Sequence, residues 1–122
     1  MKILSIDDEY TIRHGIATVI RKYNERWTIV GEASDVSQAL SIIRQERPDV
    51  IFLDIKMPGK SGIDLLREIQ EIPLKMIPVI ISGYSAFVYA QQALSCGAFD
   101  YVMKPVSPGK MVDVLCELEK KI

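Results

Sequence analysis

Cysteine, histidine, tryptophan and charge of one sign are all scarce in this chain, and each shortage removes a class of function. Its two cysteines, Cys96 and Cys116, stand far apart, with no C-x-x-C pair and no histidine nearby. Neither a disulfide framework nor a zinc site is expected from them, and isolated thiols of this kind read as buried, reduced hydrophobes. The 15 basic and 16 acidic side chains leave a formal charge of -1. That balance gives no general attraction to nucleic acid or to an acidic membrane surface, so any DNA contact must come from outside these residues. No apolar run approaches the roughly 20 residues of a spanning helix. Met1-Lys2 leads directly into a short strand pattern rather than the longer apolar region of a signal peptide, so a cytoplasmic location is expected, with no membrane partner. Internal repeats, linkers and low-complexity tracts are missing too.

What remains is an ordinary globular composition. The 122 residues are 48% hydrophobic, enough for one well-covered core and too few for two, so a single domain over residues 1-122 is expected. Strand and helix patterns alternate with short connections, which implies an α/β fold with a parallel sheet of (βα)5 form. A first strand spans about residues 2 to 7. The first helix follows, with Ile12, Ile16, Val19, Ile20 and Tyr23 on one face. A second strand runs near Trp27 to Ala33; Asp35 can then cap a helix with Gln38 three residues on, ahead of Val36, Ala39, Leu40 and Ile43, and Pro48 stops it. The third strand, Val50 to Leu53, is continuously apolar, as a central strand covered on both faces requires. Residues 57 to 62 read as a turn-rich loop, and Ile63, Leu65, Leu66 and Ile69 form a third helix ending before Pro73. A fourth strand covers Pro78 to Ser82. Ser85 can cap a fourth helix whose Phe87, Ala90, Ala93 and Leu94 make a thin apolar stripe, the mark of a weakly held helix, and Gly97 ends it. The fifth strand runs from about Ala98 to Met103. Ser107-Pro108 then opens a fifth helix carrying Met111, Leu115, Leu118 and Ile122.

Four of the apolar runs end in residues able to do chemistry. The first ends in Asp7-Asp8, the third in Asp54, the fourth in Ser82, the fifth in Lys104-Pro105. Parallel strands would bring all four ends to the carboxyl edge of one sheet, where open α/β folds bind their ligands. Three carboxylates, a hydroxyl and an ammonium at one edge suit metal-assisted phosphoryl transfer onto Asp54. Taken singly, each residue has a plainer reading. Asp7-Asp8 could be a helix-capping pair, Asp54 a strand-ending turn residue, Ser82 a cap and Lys104 a solvated surface lysine, while Tyr101 could be half-buried packing. Their shared edge overturns those readings. Gly59-Lys60-Ser61 is not the end of a phosphate-binding P-loop, because Asp54 stands where that motif needs its first glycine. His14 lies on the first helix without a second metal-type cluster, and Trp27, Met57, Met76, Met103 and Met111 read as packing.

On these residues the chain resembles the receiver domains of two-component response regulators over essentially its whole length. The resemblance rests on the acidic pair Asp7-Asp8, on Asp54, on Lys56-Met57-Pro58 with Gly62, on Ser82, on Tyr101 and on Lys104-Pro105. It implies a doubly wound, flavodoxin-like five-stranded sheet of order 2-1-3-4-5 in a three-layer α/β/α sandwich. It also implies that Asp54 accepts a phosphoryl group from a sensor histidine kinase. A Mg²⁺ ion, or Mn²⁺ in its place, would be held directly by Asp8 and Asp54, through water by Asp7, and by the backbone carbonyl of Lys56. Lys104 and Ser82 would bind the phosphoryl oxygens, and Tyr101 would turn inward as Ser82 moves. The Lys104-Pro105 bond is expected to be cis. The remodelled surface would be the fourth helix, fifth strand and fifth helix, through which phosphorylated receivers would form a homodimer. The stretch from Ile81-Ser82-Gly83-Tyr84 through Tyr89 to Leu94 and on to Gly97-Ala98 and Tyr101 is similar to receivers attached to AraC-type DNA-binding domains. A C-terminal DNA-binding effector domain is therefore expected beyond residue 122. Position 86 is acidic in many relatives and is Ala86 here, next to Tyr84, a departure that bears on access to Asp54. A magnesium-dependent phosphatase or phosphotransferase using Asp54 as turnover nucleophile is the alternative. Against it, Lys56 occupies the position where haloacid-dehalogenase-type enzymes carry their acid, and no cap domain is inserted. An unphosphorylated receiver-like scaffold is a third reading.

Overall fold

A computed structural model describes residues 1–83 and 87–121, with residues 87–90 described by their backbone alone. The elements run β1 (Lys2–Ile6), α1 (Tyr10–Tyr23), β2 (Thr28–Ala33), α2 (Val36–Glu46), β3 (Val50–Leu53), α3 (Gly62–Gln70), β4 (Ile77–Ser82), α4 (Phe87–Ser95), β5 (Asp100–Met103) and α5 (Pro108–Lys121). The sheet order is β2-β1-β3-β4-β5, and every neighbouring pair is parallel. This is the flavodoxin-like order, with the chain reversing direction across the sheet between β1 and β3.

Alternation along the strands supplies two cores. Leu4, Ile6, Ile51, Leu53 and Ile80 face one way and meet Val36, Ala39 and Ile43 of α2 and Leu65, Leu66 and Ile69 of α3. Ile3, Val50, Phe52, Val79, Ile81 and Val102 face the other way and meet Ile16 and Ile20 of α1 and Met111, Leu115 and Leu118 of α5. All four residues of β3 are buried because both faces are covered, so its alternation is invisible in the sequence.

The element ends follow local chemistry. Asp35 caps α2 by accepting the Gln38 N–H at 2.8 Å, while the Gln38 side chain reaches Ser34 rather than Asp35. The helix stops at Arg47, which takes a left-handed conformation just before Pro48. At α4 the Ala98 N–H donates to the Ala93 carbonyl and the Gly97 N–H to the Leu94 carbonyl, with Gly97 at φ 91°. That is a Schellman closure, and it takes Gly97 and Ala98 out of the last strand, so β5 starts at Asp100. Ser107 accepts the Lys110 N–H at 3.1 Å and Pro108 fills the first turn of α5. The loop before α3 hides a full capping box. Ser61 Oγ accepts the Asp64 N–H, and the Asp64 carboxylate accepts the Ser61 N–H at 2.9 Å.

Some expected burials are corrected. Cys116 is exposed because it falls off the apolar stripe of α5, and Cys96, just past the end of α4, is only half-buried against the core; both are free thiols. Leu94 and Met103 are exposed as well, and so add nothing to the packing of α4 or β5. Ser85, Tyr84, Ala86 and Ile122 lie outside the described residues, as do the side chains of Phe87 and Ala90. No helix among the described residues is long and apolar enough to cross a membrane.

The backbone N–H bond from Ser61 holds the Asp64 carboxyl below its ordinary value near 3.8. Its contribution is therefore present above that value and is lost as pH falls through the lowered native one. Ser61→Ala should cost about 1 kcal/mol in urea unfolding at neutral pH. Asp64→Asn should flatten the acid limb of the stability curve below about pH 4.

Candidate functional site

Four strand ends build one cleft. Asp7, directly after β1, is fixed by its N–H to the Ala33 carbonyl and by its Oδ1, which accepts the Glu9 N–H at 3.0 Å. Asp54, directly after β3, donates its N–H to the Ile6 carbonyl at 3.1 Å. Ser82 ends β4 fully buried, and its carbonyl accepts the Lys104 N–H at 2.9 Å, tying the ends of β4 and β5 together. The Lys104–Pro105 peptide bond is cis. The Lys104 ammonium lies 2.8 Å from Asp7 Oδ2 and 3.1 Å from Asp54 Oδ2, with Glu9 farther out at 3.9 Å.

Glycine is required at position 62. A Cβ there would collide with the Asp54 carbonyl oxygen, and the Gly62 N–H donates to the Ile55 carbonyl at 2.7 Å. The N-terminus of α3 thus presses against the backbone that carries Asp54. Lys56, Met57 and Pro58 line the cleft together with Asp8, Glu9 and Gly83. Tyr101 is half-buried on β5, packed against the core on the α2–α4 side rather than lining the cleft.

The charges are arranged unequally. Burial alone would pull the Lys104 ammonium down, but hydrogen bonds and charge from Asp7 and Asp54 outweigh it and hold the group above the ordinary lysine range. Asp54 Oδ2 is engaged by this ammonium, whereas Asp54 Oδ1 is buried with no hydrogen-bond partner among the described residues. Buried polar atoms are nearly always satisfied; among the exceptions, Arg13 Nε and Glu32 Oε1 face each other, whereas Asp54 belongs to the cleft, where a ligand atom can meet its Oδ1. Asp7, Asp8 and Glu9 bring carboxylate oxygens within 4.8 Å of one another beside it, an all-oxygen donor set suited to a hard cation. Asp54 is not part of that grouping. Glu9 was not expected at the site; the signal was the unbroken acidic run Asp7-Asp8-Glu9, read only as a pair.

A parallel five-stranded sheet of order 2-1-3-4-5 with an acidic cleft and a lysine at its carboxyl edge defines the class of doubly wound, flavodoxin-like α/β modules. The chain belongs to the response regulator receiver domain family, which matches residues 3–116. It is 34% identical over 121 residues to a response regulatory protein of Staphylococcus epidermidis and 32% identical to the transcriptional regulatory protein HptR of Staphylococcus aureus. Each alignment covers 99% of this chain but 47% of the relative, so the chain spans about half the length of these curated relatives. Among solved structures, the receiver domain of AraT from Geobacillus stearothermophilus superposes with a TM-score of 0.88 at 34% identity, covering 98% of this chain and 93% of that one. The response regulatory domain of MrkE from Klebsiella pneumoniae reaches 0.90 at 27% identity, covering 99% and 97%. The receiver domain of NarL from Mycobacterium tuberculosis reaches 0.87 at 27%, covering 98% and 95%. The chain is therefore a signalling module of two-component systems, a class that implies a sensor kinase as partner.

Two substitutions probe this geometry. Lys104→Met leaves Asp7 and Asp54 uncompensated, and should cost roughly 1–3 kcal/mol in urea unfolding, less than a fully buried pair because the cleft opens to solvent. Gly62→Ala drives a methyl into the Asp54 carbonyl and should cost about 2 kcal/mol or more, with amide shifts at residues 54 and 55 in NMR spectra.

Proposed function

We propose that the domain is a phosphorylation switch in which Asp54 takes a phosphoryl group from a phosphohistidine of a sensor histidine kinase. The unpartnered, buried Asp54 Oδ1 beside the Lys104 ammonium is the observation that carries this reading. Oδ1 attacks phosphorus in line as the P–N bond to the donor imidazole breaks, giving an acyl phosphate and a free imidazole that picks up its proton from solvent. The donor set fits Mg²⁺ or Mn²⁺, with Asp8, Asp54, Asp7 and the Lys56 backbone carbonyl as the groups that would hold it. Such a cation neutralises charge on the transferring oxygens.

The chain's own residues make the switch. Lys104 exchanges its carboxylate partners for phosphoryl oxygens, and the Ser82 hydroxyl donates to another, so both favour the phosphorylated state over the free one. The Lys104 N–H bond to the Ser82 carbonyl couples the two responses. Movement of Ser82 would let Tyr101 turn inward and reshape α4, β5 and α5. Leu94, Met103 and Val112, one on each of these elements, are large apolar side chains left exposed, which supports a receiver homodimer through this face. A C-terminal DNA-binding domain would complete a regulator of about the length of the relatives, one of which is named a transcriptional regulatory protein and is covered to 47%. The AraC-type assignment rests on the residue 81–101 stretch, since the similarity to the NarL receiver is of the same order.

Intact mass after incubation with Mg²⁺ and acetyl phosphate tests the proposal, with Asp54→Ala alongside. The expected result is a gain of one phosphoryl mass, absent in the variant and erased by hydroxylamine. No gain from either acetyl phosphate or a phosphorylated kinase would leave a receiver-like scaffold, and steady turnover of a small phosphoester would make it a phosphatase.

A further inference from the structure

Around the outside of the cleft, four side chains that the phosphoryl chemistry does not use form a closed cluster: Tyr10, Arg13 and His14 of α1 and Glu32 of β2. Glu32 Oε1 lies 3.3 Å from Arg13 Nε, an ion pair in which neither atom completes a hydrogen bond, and its Oε2 lies 3.1 Å from His14 Nδ1. The His14 ring stacks on Tyr10 with centroids 5.1 Å apart, and the Arg13 guanidinium lies over the same Tyr10 ring, also at 5.1 Å. The remaining arm of Arg13 leaves the cluster: Nη1 donates to the Asp7 backbone carbonyl at 3.2 Å. The Arg13 backbone is held as well, because the fully buried Ser5 hydroxyl of β1 donates to the Arg13 carbonyl at 3.0 Å.

We propose that Arg13 is a positioning residue for the cation-binding turn Asp7–Glu9, with Glu32 as the group that aims it. The inference rests on the reading of that turn as a divalent-cation site. Asp7 bonds through its N–H to β2, through its carbonyl to α1 by way of Arg13, through Oδ1 to Glu9 and through Oδ2 to Lys104. Of these, the carbonyl bond fixes the peptide plane between Asp7 and Asp8, and that plane sets where the exposed Asp8 carboxylate starts. A planar guanidinium suits the task because one edge can serve the Glu32 carboxylate while the other serves the carbonyl. A lysine has one point charge and can meet one of them at a time. Partners behind metal ligands commonly change metal affinity tenfold or more.

Free Mn²⁺ in titrations followed by electron paramagnetic resonance reads the site without phosphorylation. Arg13→Ala should weaken Mn²⁺ binding about tenfold, Arg13→Lys should recover part of the loss, and Glu32→Gln should shift affinity the same way by less. Labelling of Arg13→Ala by acetyl phosphate should be slow at limiting Mg²⁺ and reach the wild-type rate at saturation. Unchanged Mn²⁺ affinity in Arg13→Ala would overturn the proposal, as would a labelling defect that persists at saturating metal. Should Arg13→Ala fail to fold, unchanged affinity in Glu32→Gln overturns it instead. Wild-type protein that labels at Asp54 separates this failure from that of the switch itself; wild-type protein that binds no Mn²⁺ would overturn both.

Discussion

One ammonium shared by two buried carboxylates organises the carboxyl edge of this sheet. Asp7 and Asp54 end adjacent strands, β1 and β3, and the parallel register leaves them no way to point apart. Two carboxylates this close and this buried repel each other unless a positive charge stands between them. Lys104 supplies it from two strands away, which requires β5 to lie on the far side of β4 with its loop turned back over the sheet. Strand order, the Ser82–Lys104 backbone bond and the pressure of α3 on Asp54 all serve to bring that charge to its place.

The resting arrangement is therefore already satisfied on one side and open on the other. Asp54 Oδ2 has its partner, and Asp54 Oδ1 has none among the described residues. On the proposed reading, incoming phosphoryl oxygens would meet a nucleophile whose orientation is set by the same lysine that would later hold them. The change of state would then be an exchange of partners around one cation, and an exchange shifts an equilibrium by the difference between two interactions rather than by the whole of either.

Most of the fold was legible in the sequence because it depends on period. Amphipathic stripes in α1, α2 and α5, and apolar runs in β1, β3 and β4, carry their own signatures. The site was legible because its residues follow those runs directly. Cys116, Leu94 and Met103 were misplaced because each sits one position off a buried neighbour, Leu115, Ala93 and Val102, and a single rotation on a helix or strand carries a side chain to solvent. The Ser61–Asp64 box was hidden inside a stretch of Gly, Lys and Pro that reads as loop. Glu9 stood in plain view as the third acid of a run. Arg13 could not be found at all, since its partners Asp7 and Glu32 are joined to it only by folding.

Gly62 has a consequence of another kind. Its N–H closes onto the Ile55 carbonyl and the Asp54 carbonyl leaves no room for a Cβ, so residues 55 to 62 form a ring pinned at both ends. A pinned ring has a fixed circumference. Insertions and deletions between Asp54 and Gly62 would break the closure, whereas residues 56, 58 and 60 are exposed, so a change of side chain there leaves the closure intact. Diversification of this wall of the cleft must proceed by substitution alone, a narrower route than the one open to an ordinary surface loop.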